Sequence, residues 1–176
     1  MGKSSSKRIF ILIEDHYGPK FLLNLINRLK NEEGLKVSLS EKDIKTLPGK
    51  FNPKVRRKIE ARARLLLLDR IIIIADAEGG SVEETKSRLE EHVPEDLRSK
   101  TCYIIFKWNK EEWLCEGLGL AYGAENPEKL LNKYFRETKG AKLGYHKSYQ
   151  PYLVDQLNLE RLKKNKLFQE FVKLLE

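Results

Sequence analysis

Glu14 and Asp15 close a short apolar run, Ile9-Phe10-Ile11-Leu12-Ile13, and Asp76-Ala77-Glu78-Gly79-Gly80 closes a second, Ile71-Ile72-Ile73-Ile74-Ala75. Continuous β-branched runs read as strands buried on both faces, the kind found in parallel sheets. Open α/β sheets bind their ligands beyond the carboxyl ends of such strands. Asp76 and Glu78 are two apart, so in an extended chain they project to the same side, where Glu14 converges on them. Carboxylates gathered there repel one another unless a solvated edge or a cation relieves them. The expectation is a divalent-metal site with Glu14, Asp76 and Glu78 as ligands and Mg²⁺ or Mn²⁺ as the cofactor. Mg²⁺ takes hard oxygen ligands and keeps several waters, so two or three carboxylates suffice. Such an ion polarises a phosphodiester and activates water.

Three further sets of residues bear on that chemistry. Glu111 follows a third apolar run, near the same sheet edge, and reads either as a further acid of the site or as a residue favouring a helix N-terminus, with Trp113 in the core. Lys147 has the charge to stabilise a pentacovalent phosphate, and Tyr145, Tyr149 and Tyr152 around it have rings suited to stacking bases. Lys54, Arg57, Lys58 and Arg64 share one helix and suit nucleic-acid phosphates, although a solvated basic face is the plainer reading. His16 stands beside the first acids, and a lone histidine does not make a zinc site.

The net charge of +8 is unevenly spread. Residues 50–70 carry eight Lys/Arg against Glu60 and Asp69, whereas residues 76–99 carry eight Asp/Glu against Lys86, Arg88 and Arg98. An acidic centre between basic flanks suits a metal-dependent enzyme acting on polyphosphate. With 176 residues, 40% of them hydrophobic and 34% charged, the chain reads as one soluble globular domain. No apolar run is long enough to span a bilayer, and no secretory signal is legible, so the expected location is cytoplasmic. Cys102 and Cys115 lie in no metal-binding spacing and are expected as reduced thiols. Met1-Gly2-Lys3-Ser4-Ser5-Ser6 meets a loose myristoylation pattern, and Gly2-Lys3-Ser4 lacks the upstream glycine of a phosphate-binding loop.

The elements that must position these residues are legible in outline. Strands are expected at about 7–13, 35–39, 70–75 and 101–107. Helices are expected at about 17–30, from Asn52-Pro53 onward, 82–92, 111–122, 127–136, 150–163 and 167–175. Gly34 should end the first helix, and Ser81 with Glu84 forms a capping box for the third. The fold class is therefore α/β, a single domain over 1–176 with a mainly parallel sheet flanked by helices over 7–110 and a helical extension over 111–176 packed on it.

A strand ending in Glu followed by a later strand ending in Asp-x-Asp resembles the Toprim fold of primases, topoisomerases and overcoming-lysogenization-defect nucleases. Ile9–Glu14 and Ile71–Glu78 carry that resemblance. Glu111-Glu112-Trp113-Leu114, Tyr145-His146-Lys147 and Phe168-Gln169-Glu170-Phe171 resemble a prokaryotic family of small stand-alone Toprim-like proteins of unknown function. The resemblance implies a Rossmann-like Toprim core, with Glu14 as general acid/base or metal ligand and Asp76 and Glu78 on Mg²⁺. Two positions depart from it. Asp15 stands where Toprim proteins usually have Gly, and Glu78 where they have Asp. The leading expectation is a Mg²⁺-dependent nuclease acting on nucleic-acid phosphodiesters. The alternative is a catalytically inactive module that binds nucleic acid or a partner protein in a defence or repair system.

Overall fold

A computed structural model describes residues 7–138, 140, 142 and 144–176. The N-terminal Met1–Ser6 motifs, and Ala141 and Leu143 of the glycine-flanked loop, lie outside the described residues. Four parallel strands, β1 (Ile9–Ile13), β2 (Ile44–Thr46), β3 (Arg70–Asp76) and β4 (Thr101–Phe106), form one sheet in the order β2-β1-β3-β4. Ile11 pairs with Ile72 and Ile13 with Ile74, so the two acidic ends lie side by side.

Alternation along the strands divides the core in two. Ile9, Ile11, Ile13, Ile72, Ile74, Ile104 and Phe106 face α1 (Gly18–Glu33) and the helices that follow β4. Phe10, Leu12, Ile71, Ile73, Ala75 and Ile105 face α2 (Lys54–Leu65) and α3 (Val82–Glu90). The chain therefore leaves β1 for one face and β2 for the other. That reversal makes a topological switch point between β1 and β3, where open α/β sheets form their binding crevice.

Local chemistry accounts for most element ends. Gly34 takes a left-handed φ of 71° and stops α1. The Asn52 side chain accepts from the Lys54 amide at the start of α2, and Ser81 accepts from the Glu84 amide to cap α3. After β4 come α4 (Glu111–Leu118), α5 (Pro127–Thr138), α6 (Gln150–Leu153), α7 (Leu159–Leu162) and α8 (Lys166–Leu175). Trp113 anchors them, with ring centroids 4.9 Å from Phe106, 5.1 Å from Phe168 and 5.3 Å from Phe171.

Three expectations are corrected. Leu35, Val37 and Leu39 are buried as their alternation implies, but they pack under α1 without ladder partners, and the edge strand is Ile44–Thr46. The helix expected over 111–122 ends at Leu118, where Gly119 turns left-handed at φ 76°. The helix expected over 150–163 is broken. Leu157 is extended, Asn158 caps a new helix through the Arg161 amide, and Arg28 of α1 binds the Val154 and Leu157 carbonyls at 2.6 and 2.7 Å.

Candidate active site at the strand ends

Every main element of the site lies at the carboxyl edge of the sheet, around the β1/β3 switch point. The Glu14 backbone N–H donates to the Ile74 carbonyl as the last rung between the strands. Its side chain then reaches back, and Oε2 accepts the Asp76 amide at 2.6 Å. Glu14 is thus fixed by β3 through both its backbone and its carboxylate. Burial raises its pKa, against the Asp76 amide and Lys50, which lower it.

Asp76 is the most perturbed acid of the site. Its carboxylate has no hydrogen-bond donor or ion-pair partner among the described residues, whereas its backbone N–H and carbonyl are both engaged. Burial first, then repulsion from Glu14 and Glu111, pushes its pKa up to about 8. Glu78 stands two residues on with its side chain 75% exposed. The loop that carries it is nonetheless held. Ala77, Glu78 and Gly79 amides donate to the carbonyls of Phe106, Trp108 and Lys107. At Gly79, with φ 84°, a Cβ would lie 2.6 Å from the Trp108 ring, so only glycine fits there.

Asp15 and Glu78 are the two non-glycine residues with positive φ among the described residues, at 59° and 52°. Backbone of this kind costs energy and collects at functional sites. Asp15 recovers the cost locally. Its Oδ1 accepts the amides of Tyr17 and Gly18 at 2.7 and 2.8 Å, opening α1, and its Oδ2 pairs with Lys110. The side chain of Asp15 thus holds the left-handed backbone that its own φ of 59° requires.

Glu111 is wholly buried. Its Oε1 accepts the Tyr145 hydroxyl at 3.1 Å and the Gln150 amide at 2.8 Å, while Oε2 is buried without a partner. Tyr145 is therefore buried with its hydroxyl committed to Glu111, which corrects the expectation that its ring stacks bases. Trp113 lies in the core, as the plainer reading of that helix has it. Lys147 is part-exposed, 3.9 Å from Glu128, and close enough to lower the pKa of Asp76.

Two lysines that sequence reasoning missed complete the cluster. Lys50 lies 3.9 Å from Glu14 Oε1 and 3.5 Å from Glu78 Oε1, and donates to the Asp76 carbonyl. It thereby touches all three residues expected as metal ligands. Lys110 is 3% exposed, bound to Asp15 beside Glu111, and burial lowers its pKa to about 8. Neither has a sequence signal beyond position: Lys50 follows the Pro48-Gly49 turn, and Lys110 precedes the acids that open α4.

Among the described residues, the cations of the basic helix make no ion pair with these groups. Lys54, Arg57 and Arg64 of α2 are exposed. Lys58 instead spends its ammonium on the Thr46 carbonyl at 2.7 Å, bracing α2 to β2. His16 is exposed and lines a separate cavity with Lys20, Glu41 and Lys45.

No group of three or more His, Cys, Asp or Glu among the described residues is arranged to hold a metal ion. The donor set nonetheless suits a hard cation: Asp76 is an unpartnered carboxylate, and Glu111 Oε2 is a buried acceptor with nothing to accept. Mg²⁺ is commonly held by one or two carboxylates together with substrate phosphates, so Asp76 with a single neighbouring acid would suffice. Among the described residues, no helix is long and apolar enough to cross a membrane. No protein-family profile, curated protein or solved structure matches this chain.

Proposed function

We propose that this chain is a Toprim-like enzyme that cleaves phosphodiesters of nucleic acid with the help of Mg²⁺ or Mn²⁺. One observation carries the reading: Glu14, Asp76 and Glu111 meet Lys50, Lys110 and Lys147 at the switch point of a parallel sheet, with Asp76 unpartnered and pushed up to about 8. Asp76, with Glu14 and Glu78, would hold the ion. Bound there, the ion supplies Lewis-acid polarisation of the phosphate and a nucleophilic water. Glu14, raised by burial, is placed to take or return a proton at the crevice floor. Lys147 offers a part-exposed cation to the phosphate, and Lys110 offsets the charge of Glu111 and Asp15 from below. Lys54, Arg57 and Arg64 extend the positive field over α2 and support binding of the flanking backbone.

The test is calorimetric titration of Mg²⁺ and Mn²⁺ into the wild type and the Asp76→Asn/Glu78→Gln double variant, followed by a cleavage assay on single- and double-stranded DNA and RNA. Metal-dependent cleavage by the wild type, absent from the variant, is expected. Equal cleavage by both sinks the assignment of Asp76.

The engagement of Lys50 with Glu14, Glu78 and the Asp76 carbonyl favours one second reading, a binding module in which the lysine serves as the permanent counter-ion. Salt-sensitive nucleic-acid binding that ignores EDTA, without cleavage in any metal, is the result that reading requires.

A further inference from the structure

The segment that delivers Lys147 also delivers rings. His146 lies edge-on to Tyr17 with centroids 6.4 Å apart and to Tyr149 at 6.1 Å, and Tyr17 meets His16 at 5.3 Å. Tyr149 is backed by Phe135, nearly parallel at 5.7 Å. The result is a continuous aromatic rim. It starts one residue beyond Asp15 and flanks Lys147, so chain connectivity alone places it against the carboxylate cluster.

This rim faces solvent. His16 and His146 are exposed, Tyr149 is 38% exposed and Tyr152 69%. Tyr152 presents its ring to the Lys20 ammonium, 5.3 Å from the centroid. Beyond His16 the surface falls into an open cavity of 330 Å³, bounded by His16, Pro19, Lys20, Glu41, Lys45 and Thr46. Lys20 therefore lies on a ring, Lys147 stands between His146 and Tyr149 in sequence, and Lys45 shares the cavity with His16 and Glu41.

Exposed rings with cations beside them have a specific chemical use. Base faces within a duplex are stacked away, so exposed rings gain nothing from double-stranded nucleic acid. Unpaired bases stack on such rings, while lysines track the backbone. We infer that this rim binds single-stranded nucleic acid, its unpaired bases lying on Tyr149, Tyr152 and His16 and its phosphates on Lys20, Lys45 and Lys147. The inference rests on the phosphodiester reading of the neighbouring cluster and names the form of its substrate. The basic face of α2 has exposed cations but no such row, and serves the flanking phosphates.

The experiment is fluorescence anisotropy in EDTA with three labelled oligonucleotides of equal length: a mixed-sequence single strand, the same strand paired into a duplex, and an abasic strand that keeps the phosphates and lacks the bases. The single strand should bind about tenfold or more tightly than the abasic strand, and more tightly than the duplex. Tyr152→Ala removes an exposed ring without touching the core and should cost about fivefold or more for the single strand while leaving abasic binding unchanged. Tyr149→Leu, which keeps an apolar contact on Phe135, should do the same. Equal affinity for all three oligonucleotides, wild-type affinity in both tyrosine variants, or no binding to any of them overturns the inference. A wild type that stacks bases without cleaving them refutes the nuclease reading alone, and one that cleaves with no dependence on the rings refutes the rim alone.

Discussion

The two acidic strand ends look alike in sequence and are built differently. Each follows an apolar run, and each contains a non-glycine residue in the left-handed region, Asp15 after β1 and Glu78 after β3. At the β1 end every side-chain group is engaged. Glu14 holds the Asp76 amide, and Asp15 holds two amides and Lys110. At the β3 end the backbone is clamped by the turn after β4, but among the described residues Asp76 has no side-chain partner and Glu78 extends into solvent toward Lys50 alone. The first end holds its acids in bonds to the protein, and the second is where charge is left unsatisfied. Strain at the first is balanced by local bonds. At the second it stands with little in return, the pattern expected of a surface kept for a ligand.

The largest effect that would break this contrast is on activity. Asp76→Asn should abolish metal-dependent cleavage, whereas Glu78→Gln, which keeps an oxygen at an exposed site, should reduce it about tenfold. Equal losses in steady-state assays would show that the two acids of the β3 end are equivalent. Next comes stability. Asp15→Ala leaves the buried Lys110 ammonium unpaired and removes the acceptor of two amides, and should cost about 3 kcal/mol in urea unfolding. Asp15→Gly should also destabilise, because relief of the left-handed backbone does not replace those bonds.

A smaller effect is on pH dependence in EDTA. Asp76 ordinarily titrates at 3.8 and in the folded protein at about 8, so across that window the folded chain keeps a proton that the unfolded chain has lost. Stability should therefore fall as pH rises between those values, and Asp76→Asn should remove that part of the slope. Lys110 acts above this window with the opposite sign. Its folded pKa of about 8 lies below its ordinary 10.5, so stability should rise with pH between the two. Urea midpoints measured from pH 5 to pH 10 check both. The smallest expected effect is Glu78→Gly, which relieves the left-handed strain where little compensates it and should stabilise by about 0.5 kcal/mol. A loss there would show that the Lys50 contact matters more than the backbone.

Much of the frame was legible because it rests on periodic signals. Both buried runs, the α1 stripe ending at Gly34, the Ser81 cap and the core position of Trp113 follow from side-chain spacing and capping chemistry. Leu35–Leu39 misled because alternating burial under a helix looks the same in sequence as alternation in a strand. The break at Leu157 was hidden because Arg28, which binds the freed carbonyls, lies more than a hundred residues away. The acids of the site were visible as strand ends. Lys50, Lys110 and the Tyr145–Glu111–Gln150 network were not, since single residues brought together by tertiary packing leave no period to read.

The bond from the Asp76 amide to the Glu14 carboxylate continues the β1/β3 ladder one step past the last backbone rung, with a side chain in place of a carbonyl. That gives the crevice its own reporter. Deuterium should enter the Asp76 amide slowly while Glu14 is turned inward, and faster if a cation draws the carboxylate away. Occupancy of the crevice thus becomes visible as the exchange rate of one amide proton, with no substrate turned over.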